Sequence, residues 1–108
     1  MEKETQENIE QLQLLEQNLQ VLLAQKQTFQ SQLLEIDNSL EELKITKEKP
    51  YKIVGHIMVL TEKNTLNKEL DDKKEIIDLR IKSIEKQEEE TRGRAKNLQE
   101  EILKTLKK

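Results

Sequence analysis

Three places in this sequence hold side chains that could do chemistry: His56, the run Glu88-Glu89-Glu90, and the glycines Gly55 and Gly93. A histidine that ligates a metal needs cysteines, histidines or carboxylates to complete its set. His56 is the only histidine, it sits in the apolar stretch "IVGHIMVL", and the chain has no cysteine. It reads as a turn residue. Adjacent glutamates could hold a metal or share a proton, but only burial tunes carboxylates for such work. A slender helical pair offers no buried site, so Glu88, Glu89 and Glu90 read as a solvated face. A phosphate cradle needs glycines clustered at the start of a helix, and Gly55 and Gly93 lie far apart. The absence of cysteine also removes disulfides and thiolate chemistry. The expectation is a protein that is no enzyme and takes no cofactor and no metal.

Composition narrows the class further. Charged residues make up 38% of the 108 positions, hydrophobic ones 33% and aromatic ones 2%. That is too little large apolar material for a globular core to offset chain entropy. Disordered chains and coiled coils share this composition, and periodicity decides between them. The net charge of −3 comes from 22 acidic and 19 basic residues, closely intermixed. Such mixing argues against nucleic acid and against an anionic membrane as partners. The opening "MEKETQENIE" lacks the apolar core of a signal peptide. The most apolar run, Ile53 to Leu60, is far too short to span a bilayer. A soluble, cytoplasmic protein is expected.

The periodicity is that of a coiled coil. Leu12, Leu15, Leu19, Leu22, Lys26, Phe29, Leu33, Ile36, Leu40 and Leu43 follow alternating steps of three and four, with Lys26 the only polar member. A second array runs through Asn67, Leu70, Lys74, Ile77, Ile81, Ile84, Glu88, Thr91, Ala95, Leu98, Ile102 and Thr105. It is weaker, and its soft spot lies at Glu88 and Thr91. Gly93 follows, costing about 1 kcal/mol of helix propensity relative to alanine. That position is either a locally looser turn or a purposeful flex point. In an antiparallel pair the arrays match Leu12 with Leu98, Leu15 with Ala95, Phe29 with Ile81, Leu33 with Ile77 and Leu40 with Leu70. All these pairs share a midpoint at Gly55, so the two arrays form an intramolecular hairpin with arms of about 60 Å. Lys26 would face Ile84 with Glu88 within reach. Because buried ionic interruptions often lower stability, Lys26→Leu is expected to raise the melting temperature.

A plain helical hairpin needs a loop of a few residues, yet about 20 separate the two arrays. Pro50 stops the first helix and holds Lys49 extended. Gly55-His56 then signals a two-residue hairpin with glycine at the first central position of a type II′ turn. Val54 would oppose Ile57, Ile53 oppose Met58, and Tyr51 oppose Leu60. One face carries Tyr51, Ile53, Met58 and Leu60; the other carries Lys52, Val54, Ile57, Val59 and Thr61. An isolated two-stranded hairpin is marginal in water and exposes both edges. Either it folds back over the base of its own coil, or strands of other subunits complete it into a shared sheet or barrel. The second reading makes Tyr51, Ile53, Val54, Ile57, Met58, Val59 and Leu60 a subunit interface. The chain is thus a single subunit, mostly α, with helix 1 over residues 1–47, the hairpin segment over 48–63 and helix 2 over 64–108.

The order of a glutamine-rich heptad helix, a "PYKIVGHIMV" hairpin and a second helix carrying "LRIKSIEKQEEE" resembles the β class of archaeal prefoldin subunits. The stretch "QVLLAQKQTFQSQLLEIDNSLEEL" adds to the likeness, which covers roughly residues 8 to 106. Room for one hairpin and not two favours the β class over the α class. The resemblance implies an ATP-independent holdase chaperone, assembled as a hetero-hexamer of two α and four β subunits. The hairpins would build a β-barrel platform, and the coils would hold unfolded clients at their distal tips for delivery to a group II chaperonin.

Those tips would contain both chain termini. Apolar residues off the seam there are Ile9, Leu14, Val21, Leu23, Leu103 and Leu106, the candidate client contacts. The same residues could instead widen the coil's own core. Leu34, Ile45, Leu66, Ile76 and Leu79 are off the seam too, nearer the hairpin. The rival to the chaperone reading is a scaffolding coiled coil within a larger complex.

Overall fold

The computed structural model describes residues 3–107. They form α1 (Lys3–Ile45), β1 (Tyr51–Val54), β2 (Ile57–Leu60) and α2 (Lys63–Leu106). The chain divides into two compact units: Met1–Gln27 with Lys82–Lys108, called here the terminal unit, and Thr28–Ile81, the hairpin unit.

α1 runs for 43 residues without an interior glycine or proline, in a sequence rich in Leu, Gln and Glu. It ends at Ile45, and Pro50 limits how far it could run. The carbonyl of Thr46 would need the amide of residue 50 to extend the helical ladder, and Pro50 has none. The ammonium of Lys63 donates to that carbonyl instead, at 3.0 Å. The hydroxyl of Thr46 meanwhile donates to Glu42 O at 2.8 Å. α2 runs unbroken through Gly93, so the glycine does not interrupt the helix.

In the hairpin unit the α1 positions Ile36 and Leu43 and the α2 position Ile77 are buried, while Phe29, Leu33, Leu40, Leu70 and Ile81 are half-buried. The two helix segments run antiparallel: Asp37 Oδ1 lies 2.8 Å from Lys74 Nζ, and the Arg80 guanidinium lies 5.8 Å from the centre of the Phe29 ring. Both contacts fit pairs centred on Gly55. In the terminal unit Ile84, Glu88, Ala95 and Ile102 are buried on α2, against half-buried Leu12, Leu15, Leu19, Leu22 and Lys26 on α1. Thr105 departs from the expected seam. It is exposed, and its hydroxyl donates to Glu101 O. The seam extends instead to Asn8 and Thr5 on α1, with Thr5 only 2% exposed.

The strands pair in the expected register, Tyr51 with Leu60, Lys52 with Val59, Ile53 with Met58 and Val54 with Ile57. Gly55 has φ of 61°, and no other described residue has a positive φ. Positive φ at the first central residue alone is the mark of a type II′ turn. The amide of Thr61 donates to Pro50 O at 3.0 Å and closes the base of the hairpin.

Candidate functional site

The hairpin is the larger of two candidate interaction surfaces. Every residue of β2 is exposed, and so are Tyr51, Ile53 and Val54 of β1. Ile53 and Met58, paired across the ladder, are the most exposed at 73% and 67%. Both faces of the sheet are therefore open to solvent. Lys52 alone is half-buried, and its ammonium lies 2.7 Å from Glu69 Oε2 on α2. A second ion pair, Lys49 Nζ to Glu62 Oε1 at 2.9 Å, ties the two ends of the segment together. These contacts orient the hairpin on its own coil without covering its apolar side chains. A cavity of about 660 Å³ under the hairpin is lined by residues that include Leu43, Pro50, Ile53 and Leu70. The fold-back reading is thus met only in part, through Lys52.

The second surface is on the terminal unit. Leu14, Val21 and Leu23 of α1 and Leu103 and Leu106 of α2 are exposed. Ile9, grouped with them on sequence grounds, is half-buried. Near the hairpin, Leu34, Ile45, Ile76 and Leu79 are exposed as well, and Leu66 is half-buried.

Within the seam of the terminal unit sits a buried charge. Glu88 is 2% exposed, its Oε1 lies 2.8 Å from Lys26 Nζ, and its Oε2 accepts from Arg92 at 3.3 Å. Oε1 is at ion-pair distance but out of hydrogen-bond alignment. This corrects the expected effect of Lys26→Leu. Removing the lysine strands a carboxylate in an apolar seam with only an exposed arginine for company, and that destabilises. Of the glutamate run, Glu89 and Glu90 are indeed solvated, whereas Glu88 is not. Among the described residues no group of three His, Cys, Asp or Glu side chains could hold a metal ion, and no helix is long and apolar enough to cross a membrane.

The comparisons with known proteins fit this geometry. A family model described as "Prefoldin subunit" matches residues 6–108. The chain belongs to the prefoldin subunit family. It is 39% identical over 107 residues to the prefoldin subunit beta of Sulfurisphaera tokodaii, covering 97% of this chain and 86% of that one. To the prefoldin subunit beta of Archaeoglobus fulgidus it is 38% identical over 105 residues, covering 95% and 90%. The crystal structure of the prefoldin beta subunit from Thermococcus strain KS-1 matches it with a TM-score of 0.92 at 30% identity, over 99% of this chain and 96% of that one. The chain is therefore a prefoldin-type chaperone subunit of the archaeal kind, with two helices joined by a single β-hairpin.

Several contacts in this prefoldin subunit escape the heptad pattern. Arg80 over Phe29 and Lys74 with Asp37 join residues distant in sequence, and they emerge only once the register is set. The burial of Thr5 and Asn8 had a signal, because the three-four spacing continues below Leu12, but neither side chain is apolar.

Proposed function

We propose that this prefoldin subunit works as an ATP-independent holdase. In this reading the hairpin joins further β subunits and an α-class subunit, two α and four β in all, in a shared β-barrel. The terminal unit captures non-native polypeptides and passes them to a group II chaperonin in the cytoplasm. The observation that carries the reading is the hairpin, an ordered two-stranded sheet with apolar side chains exposed on both faces. Such a sheet is marginal alone and gains most from strands supplied by neighbours. The exposed leucines of the terminal unit support the client half of the reading, because apolar groups on a polar surface mark contact sites.

The test mixes the purified chain, alone and with an α-class partner, with a chemically unfolded protein in the absence of nucleotide. Light scattering follows aggregation, and mass photometry reports the assembly. Suppression of aggregation by the assembled complex is expected. A stable assembly that leaves aggregation untouched would favour the scaffold.

A further inference from the structure

The terminal unit carries a groove of about 470 Å³ lined by Gln11, Leu14 and Leu15 of α1 and Arg94, Asn97 and Leu98 of α2. Its floor is apolar, since Leu15 and Leu98 are half-buried seam residues, and Leu14 rises at its side with 58% of its surface exposed. Gln11 and Asn97 each offer an amide donor and an acceptor, the pair of functions a peptide backbone needs. Arg94 is the only charged group in the lining. It takes part in no ion pair with any described residue, Glu90 one turn earlier included. The α1 wall adds little competing charge. Between residues 11 and 27 only Glu16 and Lys26 are charged, and Lys26 is turned to Glu88.

We propose that this groove seats one apolar side chain of an extended, non-native polypeptide and that Arg94 selects segments with a carboxylate beside it. The proposal rests on the holdase reading above and adds a preference in sequence to it. On an extended strand the next side chain on the same face is about 7 Å along. An apolar residue on the floor and an acidic residue two positions away can therefore both face the groove. The amides of Gln11 and Asn97 meet the backbone between them. Because Arg94 is in no ion pair with a described residue, no existing contact has to break before it meets a carboxylate, and the apolar floor is left to set affinity. The chain as a whole carries −3, so without Arg94 the surrounding field would favour basic peptides.

The test uses two fluorescent peptides with the same apolar core, one flanked by aspartates and one by lysines. Each is titrated against the full chain by anisotropy at low salt. Arg94→Gln should weaken the aspartate peptide relative to the lysine peptide by about two- to fivefold, the scale of a solvent-facing ion pair. Arg94→Glu should move the ratio further the same way, and about 0.5 M salt should erase the difference. Circular dichroism checks that both variants keep their helices. An unchanged ratio of the two Kd values in Arg94→Gln overturns the proposal. Failure of the wild type to bind either peptide, while it still suppresses aggregation of an unfolded protein, overturns the groove and leaves the holdase standing. Failure to suppress aggregation removes both.

Discussion

The hairpin unit and the terminal unit both expose apolar side chains, but they do so in different ways. In the hairpin the exposed apolar residues lie side by side on two hydrogen-bonded strands, fixed in register and fixed on their faces. In the terminal unit they are single leucines and one valine on helices, separated by amides and charges. A continuous rigid patch suits one partner of defined shape. Scattered flexible side chains suit many partners of no defined shape, each buried only in part. Under the proposed function the same class of side chain would serve assembly in one region and adaptable contact in the other, and substitutions should separate the two.

The largest effect is expected in the hairpin. Placing aspartate at both Ile53 and Met58 would bury two like charges wherever those side chains meet a neighbour, at several kcal/mol per unpaired ion. The double variant should lose its oligomeric state in mass photometry while its helical circular dichroism survives. An oligomer of unchanged mass would show that the continuous patch is not the assembly element.

The next effect lies inside the terminal unit and asks what its thin seam tolerates. Lys26→Leu leaves Glu88 buried beside Arg92 alone, and urea unfolding should show a loss of about 3 kcal/mol. Replacing Glu88 by leucine as well removes the stranded charge, and the double variant should recover wild-type stability or exceed it. A stable single variant would mean that Glu88 reaches water by a route the structure does not provide.

These expectations also mark how much could be read from residues alone. The alternating steps from Leu12 to Leu43 located the α1 seam, since spacing of three and four is what a coiled-coil partner of either orientation demands. Gly55-His56 between β-branched residues located the turn and, through it, the strand register. The pairing of Lys26 with Glu88 was legible from the register, which set Glu88 on the seam within reach of the lysine, whereas the reading of Glu88 as part of a solvated face ignored that seam position and failed. The end of α1 was readable from Pro50, but not that Lys63 would take the carbonyl that proline leaves without a partner. Polar contacts such as Asp37 with Lys74 depend on side-chain reach across the register and have no periodic signature. At the candidate client surface, off-seam position was a good guide to exposure for Leu14, Val21, Leu23, Leu103 and Leu106. It failed for Ile9, which is half-buried beside Asn8, where the seam continues beyond Leu12.

A third effect separates Ile9 from its neighbours. Serine at Leu14, Leu103 or Leu106 should weaken client protection by about two- to fivefold each, because a loose client buries only part of a leucine. Stability should hardly move. Several subunits acting together would multiply the loss, so trimming residues 1–10 and 100–108 should cut protection more than any single serine does, with the oligomer intact. Serine at Ile9 should lower the melting temperature as well, since that side chain is half-buried. Serine at Leu34 or Ile76, in the hairpin unit, should leave protection nearly unchanged. Equal losses from both units would erase the distinction between assembly and capture surfaces.

The smallest effect contrasts a solvent-facing ion pair of the hairpin unit with the buried pair of Lys26 and Glu88 in the terminal unit. Lys74 occupies a seam position, but its ammonium reaches outward to Asp37 at 2.8 Å, and both side chains remain more than a third exposed. The hydrogen bond and charge of Asp37 raise the Lys74 pKa above its ordinary value of 10.5. A lysine whose folded pKa exceeds its unfolded value contributes stability below the unfolded value and loses it as pH rises through the folded one. Whatever Lys74 contributes should therefore be constant at neutral pH, begin to fall near the ordinary value of 10.5 and be gone once pH passes the raised folded value. Asp37→Asn should return the Lys74 titration, followed by NMR of the lysine side chain, to the ordinary range. Salt should screen this pair, because solvent lies beside it, and should barely touch the enclosed pair of Lys26 and Glu88. A Lys74 titration unmoved by Asp37→Asn would place the cause of its shift in Asp71 and Asp78, the other carboxylates that raise it.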